Sequence, residues 1–277
     1  MVCQQIPVVV DYAKAGAVHN GFQPVLQAYV IERGPEFNVL QKRPAVILCP
    51  GGGYGFTSDR EAEPVALRLV SAGINAFVLR YSVAPARYPC ALLELARAVE
   101  LVRQNAEKWH IDRNRVIVCG FSAGGHLAAN LGVAWEQPFL CETLGAKSRD
   151  LRPNGMILSY PVITAGEYAH IGSFENLLGD TKNEELMASV SLEKLVNRST
   201  PPSFLWHTQA DPVVPLENTV VFAMALRNNK VPFELHIYER GGHGLSLADE
   251  TSAVLPRHIV PDVTNWIEMA IKWLKRL

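Results

Sequence analysis

The sequence predicts an α/β fold, a mostly parallel central sheet with helices on both faces. Three observations carry this. Short apolar runs rich in β-branched residues alternate with longer segments of helical period. The inner runs Ala45–Cys49 (AVILC) and Arg115–Cys119 (RVIVC) are apolar enough to be strands buried on both faces. The second of them runs through a glycine-flanked serine straight into an Ala- and Leu-rich segment.

The elements follow in order. Val8–Tyr12 and Val25–Glu32 read as two opening strands, and Ala45–Cys49 as a third. Glu61–Ala72 has helical spacing and stops at Gly73, a suitable C-cap. Ile74–Tyr81 is the next strand. Cys90–Lys108 is an amphipathic helix with Leu92, Leu95, Ala96, Val99 and Val102 on one face. After Arg115–Cys119, Ser122–Ala134 reads as a helix and Gly155–Tyr160 as a strand. Phe204–Thr208 and Phe233–Tyr238 are strands, Leu216–Asn229 is a helix, and Val260–Leu277 closes the chain as a helix. Thr164–Thr200 breaks the alternation and is more polar, so it is expected as an insertion over the sheet edge with one or two short helices. No repeat or linker divides the chain, so one domain over residues 1–277 is expected.

Composition excludes several classes. The 277 residues are 48% hydrophobic and 19% charged, with a net charge of −1. Disordered, collagen-like and disulfide-scaffold chains are ruled out. The charge balance gives no reason to expect nucleic acid or an anionic membrane as partner. Five cysteines lack any C-x-x-C pair and cannot all form internal disulfides; Cys49 and Cys119 read as buried thiols. A reducing, cytoplasmic setting is expected. No secretory signal or apolar run of membrane-spanning length is visible, and no cofactor or metal is called for, since neither H-E-x-x-H nor a Cys/His cluster occurs.

The chemistry begins at Gly120-Phe121-Ser122-Ala123-Gly124, which fits G-x-S-x-G. The pattern alone is weak, but here it follows a strand and opens a helix, the setting a nucleophile elbow needs. Side chains at Gly120 and Gly124 would strike the neighbouring strand and helix. The turn lifts the Ser122 hydroxyl above the sheet and points the Ala123 N–H the same way, at a helix N-terminus. The alternative is a glycine-rich turn with a capping serine. Upstream, Pro50-Gly51-Gly52-Gly53-Tyr54 follows the AVILC strand and can bring bare N–H groups to an oxyanion. Phosphate-binding patterns fail, because Phe56 replaces the third glycine of G-x-G-x-x-G and His126 follows Gly125 where a lysine is required. A plain flexible loop is the alternative there.

A serine needs a base, and the base an orienting acid. Asp211 lies just past the Phe204–Thr208 strand and His243 just past Phe233–Tyr238, between glycines. Their order after Ser122 is that of G-x-S-x-G hydrolases, and strand C-termini are where open α/β sheets bind ligands. Each alone reads equally as a turn acid or a loop histidine. Glu239 and Asp249 are substitute acids, but both stand close to His243 in sequence. His126 and His207 read as structural, His110 as a helix-end cation, and His19, His170, His236 and His258 have no context that singles them out.

These residues resemble the α/β-hydrolase fold over most of the chain. More closely, they resemble the esterase/lipase group of hormone-sensitive-lipase-like enzymes and lid-less acetylxylan- and feruloyl-type carbohydrate esterases. Pro50-Gly51-Gly52-Gly53-Tyr54 is similar to H-G-G-G, with Pro50 where many members have His. Arg80-Tyr81-Ser82-Val83-Ala84-Pro85 is similar to Y-R-L-A-P, and Gly120–His126 matches the elbow with the G-G-H ending of the carbohydrate branch. The resemblance implies Ser122 as nucleophile, His243 as base, Asp211 as orienting acid, and Gly52, Gly53 and Ala123 as oxyanion donors. With no room for a large N-terminal cap, the site should be shallow, suited to a small acyl group on a bulky polar alcohol. Tyr54, Phe56, Val213, Val214 and Leu245 are expected to line it from their loop positions. The expected function is hydrolysis of short-acyl esters, acetyl esters of carbohydrates above all. The alternatives are an amidase, formamidase or small peptidase on the same triad, or a non-catalytic binding module. The expected partner is a small-molecule ester, and the sequence leaves a homo-oligomer open.

Overall fold

The computed structural model describes residues 1–32, 34, 36 and 42–277. Eight strands form one sheet in the order β1-β2-β4-β3-β5-β6-β7-β8. They are β1 (Val2–Pro7), β2 (Val25–Val30), β3 (Arg43–Cys49), β4 (Asn75–Arg80), β5 (Ile111–Phe121), β6 (Gly155–Ser159), β7 (Ser203–Thr208) and β8 (Phe233–Tyr238). Both β1 and β4 pair antiparallel with β2, and every pair from β4 through β8 is parallel. The chain leaves β3 toward β4 and then crosses back to β5 on the other side of β3. That reversal makes the ends of β3 and β5 the switch point where such sheets bind ligands.

The apolar strands sort their side chains by simple alternation. Ala45, Ile47 and Cys49 of β3 face one layer, with Leu92, Leu95 and Val99 of α2 (Cys90–Gln104) and Leu127 and Leu131 of α3 (Ala123–Ala134). Val46 and Leu48 face the other, with Val65 and Leu69 of α1 (Glu63–Ser71) and, farther along the sheet, Trp266, Ala270 and Leu274 of the closing helix. Burial on both faces is why these strands carry no polar alternation.

Several boundaries differ from expectation. The first strand is β1, Val2–Pro7, and not Val8–Tyr12; Tyr12–Ala15 is a 3₁₀ turn. An edge strand with a single neighbour tolerates Gln4, Gln5 and a terminal proline. Helix α2 ends at Gln104, and His110 stands beyond it at φ +52°. Helices α4 (Pro138–Leu144) and α5 (Ser148–Leu151) were not anticipated. Residues 164–200, where one or two short helices are expected, contain α6 (Ile171–Leu178) and α7 (Glu184–Ser189). After it come α8 (Glu217–Asn228) and α9 (Trp266–Arg276), which starts later than expected because Pro261–Val263 forms a separate 3₁₀ turn.

The insertion is tied down at both ends. Asn218 of α8, fully buried, accepts from the Ile163 and Thr164 N–H groups at 2.9 and 3.0 Å and donates to the Tyr168 carbonyl at 2.9 Å. Farther along, His126 Nε2 donates to the Val190 carbonyl at 2.9 Å, and at the far end Trp135 Nε1 donates to the Ser199 carbonyl at 3.2 Å. The five thiols are free, with Cys49, Cys90 and Cys119 buried. Among the described residues, no helix is long and apolar enough to cross a membrane.

One buried acid makes the fold sensitive to pH. Glu94 of α2 is fully buried, accepting from the Tyr12 hydroxyl at 2.8 Å and the Ser82 N–H at 2.7 Å. Burial outweighs these hydrogen bonds and pushes its carboxyl from the ordinary 4.5 up to about 7. The unfolded chain therefore releases this proton first. Stability falls as pH rises from about 4.5 to 7 and is level above that, a loss on the order of 3 kcal/mol. Glu94→Gln keeps an acceptor for the Ser82 N–H and offers Tyr12 a donor. It should flatten that slope, read as denaturant midpoints at pH 5 and pH 8 for both proteins; an unchanged slope would refute the assignment.

Candidate active site

The elbow between β5 and α3 is built from close backbone approaches. A Cβ on Gly120 would lie 2.1 Å from the Gly124 carbonyl oxygen, and one on Gly124 would lie 2.0 Å from that of Cys49 in β3. No side chain fits either place, so the chain turns sharply enough to hold Ser122 at φ +53°, ψ −120°. Backbone bonds lock it there. The Ser122 N–H donates to the Ser159 carbonyl at 3.0 Å, and the Ser122 carbonyl accepts from Val162 N–H at 3.0 Å.

Three side chains from distant loops meet at this turn. The Ser122 hydroxyl donates to His243 Nε2 at 2.7 Å, and His243 Nδ1 donates to Asp211 Oδ2 at 2.7 Å. The Asp211 side chain is wholly buried and that of His243 is 16% exposed. Asp211 Oδ1 accepts from the N–H groups of Val213 and Val214 at 2.9 and 3.1 Å. His207 Nε2 stands 3.3 Å from Asp211 Oδ2, held by the Val214 carbonyl and by Thr219, whose hydroxyl bonds Nδ1 at 2.7 Å. Burial by itself would raise the Asp211 carboxyl. The hydrogen bonds from His207 and His243, with the His243 charge and the Val213 N–H, hold it well below the usual carboxylate range instead. Asp211 is thus a fixed anion aimed at one imidazole nitrogen.

The glycine loop after β3 turns back over Ser122. Gly52 takes φ +127°, where a Cβ would lie 2.2 Å from the Phe56 carbonyl oxygen. Gly51 donates to Glu61 Oε2 at 2.8 Å, Ser58 N–H to the Gly51 carbonyl at 2.9 Å, and Asn176 Nδ2 to the Gly53 carbonyl at 2.9 Å. The Tyr81 hydroxyl donates to the Pro50 carbonyl at 2.5 Å. The Arg80-Tyr81 segment therefore braces the loop from β4. Among the described residues, the N–H groups of Gly52, Gly53 and Ala123 have no acceptor in the protein. The expectation of oxyanion donors falls on these three amides.

A cavity of about 340 Å³ opens beside Ser122 and His243. Of the five expected lining residues, Phe56 and Val213 border it and stay 63% and 45% exposed. Tyr54, Val214 and Leu245 do not. Tyr54 takes φ +57°, is 2% exposed, and its hydroxyl bonds His126 Nδ1 at 2.9 Å. Burial lowers His126 to about 4, so its ring is neutral and structural. Val214 is buried and spends both backbone groups on Asp211 and His207. Leu245 turns into the core beside Trp206 and Trp266. Loop position identified these residues but not which way each points.

Sequence reasoning missed Ser58, Arg60, Glu61 and His170, which also line the cavity. His170, from the insertion, shares a 2.8 Å hydrogen bond with Ser173, and burial, with the charge of His243, lowers it from the ordinary histidine range. Glu61 is 3% exposed, and its Oε1 accepts from the Tyr160 hydroxyl at 2.7 Å. A lone acid or histidine in a loop gives no sequence signal of such placement. Among the described residues, no group of three or more His, Cys, Asp or Glu could hold a metal ion.

A family model described as BD-FAE matches residues 36–226, a span that holds Ser122 and Asp211 and ends before His243. Endo-1,4-beta-xylanase B of Butyrivibrio fibrisolvens is 40% identical over 83% of this chain, and acetylxylan esterase of Xylanibacter ruminicola 30% identical over 81%. The matches span only 36% and 45% of those two relatives. Among solved structures, the acetyl ester-xyloside bifunctional hydrolase of Caldicellulosiruptor lactoaceticus is 39% identical, with 99% of this chain and 96% of that one covered and a TM-score of 0.82. Carboxylesterase Cest-2923 of Lactobacillus plantarum WCFS1 is 28% identical, with 100% and 98% covered and a TM-score of 0.83. With its switch-point elbow, its mostly parallel sheet and these matches, the chain belongs to the BD-FAE family and has the α/β-hydrolase fold.

Proposed function

We propose that this chain is a serine carboxylesterase that removes short acyl groups, acetyl above all, from carbohydrates. The observation that carries the reading is the unbroken 2.7 Å relay from Ser122 through His243 to Asp211. Ser122 Oγ attacks the ester carbonyl carbon while His243 Nε2 takes its proton. The carbonyl oxygen becomes an oxyanion that accepts from Ala123 N–H and from the Gly52 and Gly53 amides. As the intermediate collapses, His243 returns the proton to the departing alcohol oxygen, leaving an acyl-Ser122 ester. Water then attacks that ester with His243 as base, releasing the carboxylic acid and free Ser122. Asp211 keeps the imidazole in one tautomer and offsets its charge throughout.

The cavity and the relatives support the substrate class. About 340 Å³ bordered by exposed Phe56 and Val213 suits a small acyl group on an alcohol that extends into solvent. A named acetylxylan esterase and an acetyl ester-xyloside hydrolase among the similar proteins point the same way. The free thiols fit a reducing, cytoplasmic setting.

Ser122→Ala should abolish p-nitrophenyl acetate turnover and fluorophosphonate labelling while leaving thermal unfolding near wild type; normal turnover would sink the reading. Asp211→Asn should lower kcat on the order of 10⁴-fold by loss of the working tautomer. If Glu239→Gln were the damaging change instead, the acid would be misassigned. Across p-nitrophenyl esters, kcat/KM should fall at least about tenfold from acetyl to octanoyl. A preference for the long chain would overturn the small-acyl assignment.

A further inference from the structure

Glu61 is a buried carboxylate that the proton relay does not use. An acid in such a place needs donors, and its two come from opposite sides of the site. Oε2 accepts the Gly51 N–H at 2.8 Å, at the root of the glycine loop. Oε1 accepts the Tyr160 hydroxyl at 2.7 Å. That hydroxyl in turn accepts the Ser246 N–H at 2.9 Å, three residues past His243 in the same loop. The edge-on Tyr160 ring lies 5.1 Å from the His243 ring at an interplanar angle of 70°. The preceding residue ties the same loop again, its Arg60 carbonyl accepting the Ser246 hydroxyl at 2.5 Å.

We propose that Glu61 is a positioning residue, a strut that sets the separation between the oxyanion loop and the histidine loop through Tyr160. By holding the Gly51 N–H, it turns that peptide so that the next two amides stay free for substrate. By holding Tyr160, it seats the wall behind the imidazole. This rests on the esterase reading above, but part of its test does not depend on activity.

In Glu61→Gln, the neutral amide oxygen accepts the Gly51 N–H more weakly than the carboxylate does, and NH₂ faces Tyr160, whose proton then has no acceptor. Amide exchange at Gly51 and Ser246, two loops far apart in sequence, should rise together in this variant. With p-nitrophenyl acetate, kcat should fall about 10- to 100-fold with KM within about threefold, as expected when reacting groups are misplaced rather than binding lost. Tyr160→Phe should lower kcat about tenfold, and the double variant should match Glu61→Gln within about threefold, since both break one strut. Unchanged exchange at either amide, effects that multiply, or a change confined to KM would overturn the proposal. If Glu61→Gln does not fold, Tyr160→Phe decides by its Ser246 exchange and its split between kcat and KM. Wild-type enzyme that neither turns over the ester nor labels with fluorophosphonate would break the esterase reading alone, and the exchange result would still judge the strut.

Discussion

The absence of two Cβ atoms, at Gly120 and Gly124, is the constraint on which the site depends. It lets α3 start against β3 and β5 at a distance no side chain permits. The result is a serine in a left-handed conformation that an L-residue enters only at an energetic cost. Packing around the turn must supply that cost. Bonds from Ser122 to Ser159 and Val162 contribute to this, together with the buried strands on either side. The hydroxyl's position above the sheet follows from the rigidity below it.

Around the elbow, the structure satisfies buried polar groups with fixed donors rather than with solvent. Asp211 receives two backbone N–H groups and two imidazoles. His126 is held neutral between Tyr54 and Val190, and Glu61 between Gly51 and Tyr160. Each arrangement joins segments distant in sequence. In a low-dielectric setting such networks are rigid when complete and damaging when broken. The hydrogen bonds joining Ser122, His243 and Asp211 stand among these networks.

The central strands were legible because burial on both faces leaves an unmistakable apolar run, as in AVILC. The elbow was legible because its glycines answer to a steric need that sequence displays directly. The relay partners could be placed because strand ends define where loops converge. Other features had no such signature. The edge strand Val2–Pro7 is half polar because it pairs on one side only, and the nearby Val8–Tyr12 stretch mimicked a strand better. Tyr54, Val214 and Leu245 lie in the right loops but turn inward, a matter of backbone angles and neighbouring partners that loop position does not encode. Glu61 and His170 are ordinary loop residues until the fold brings the glycine loop and the insertion over the same opening.

Asn218 clasps the start of the 164–200 segment and His126 holds it again at Val190, so the segment is anchored to the body of the fold at two separate points. The cavity it borders is thus framed by contacts within the protein itself. An opening framed in this way sorts what enters it by the outline it already presents.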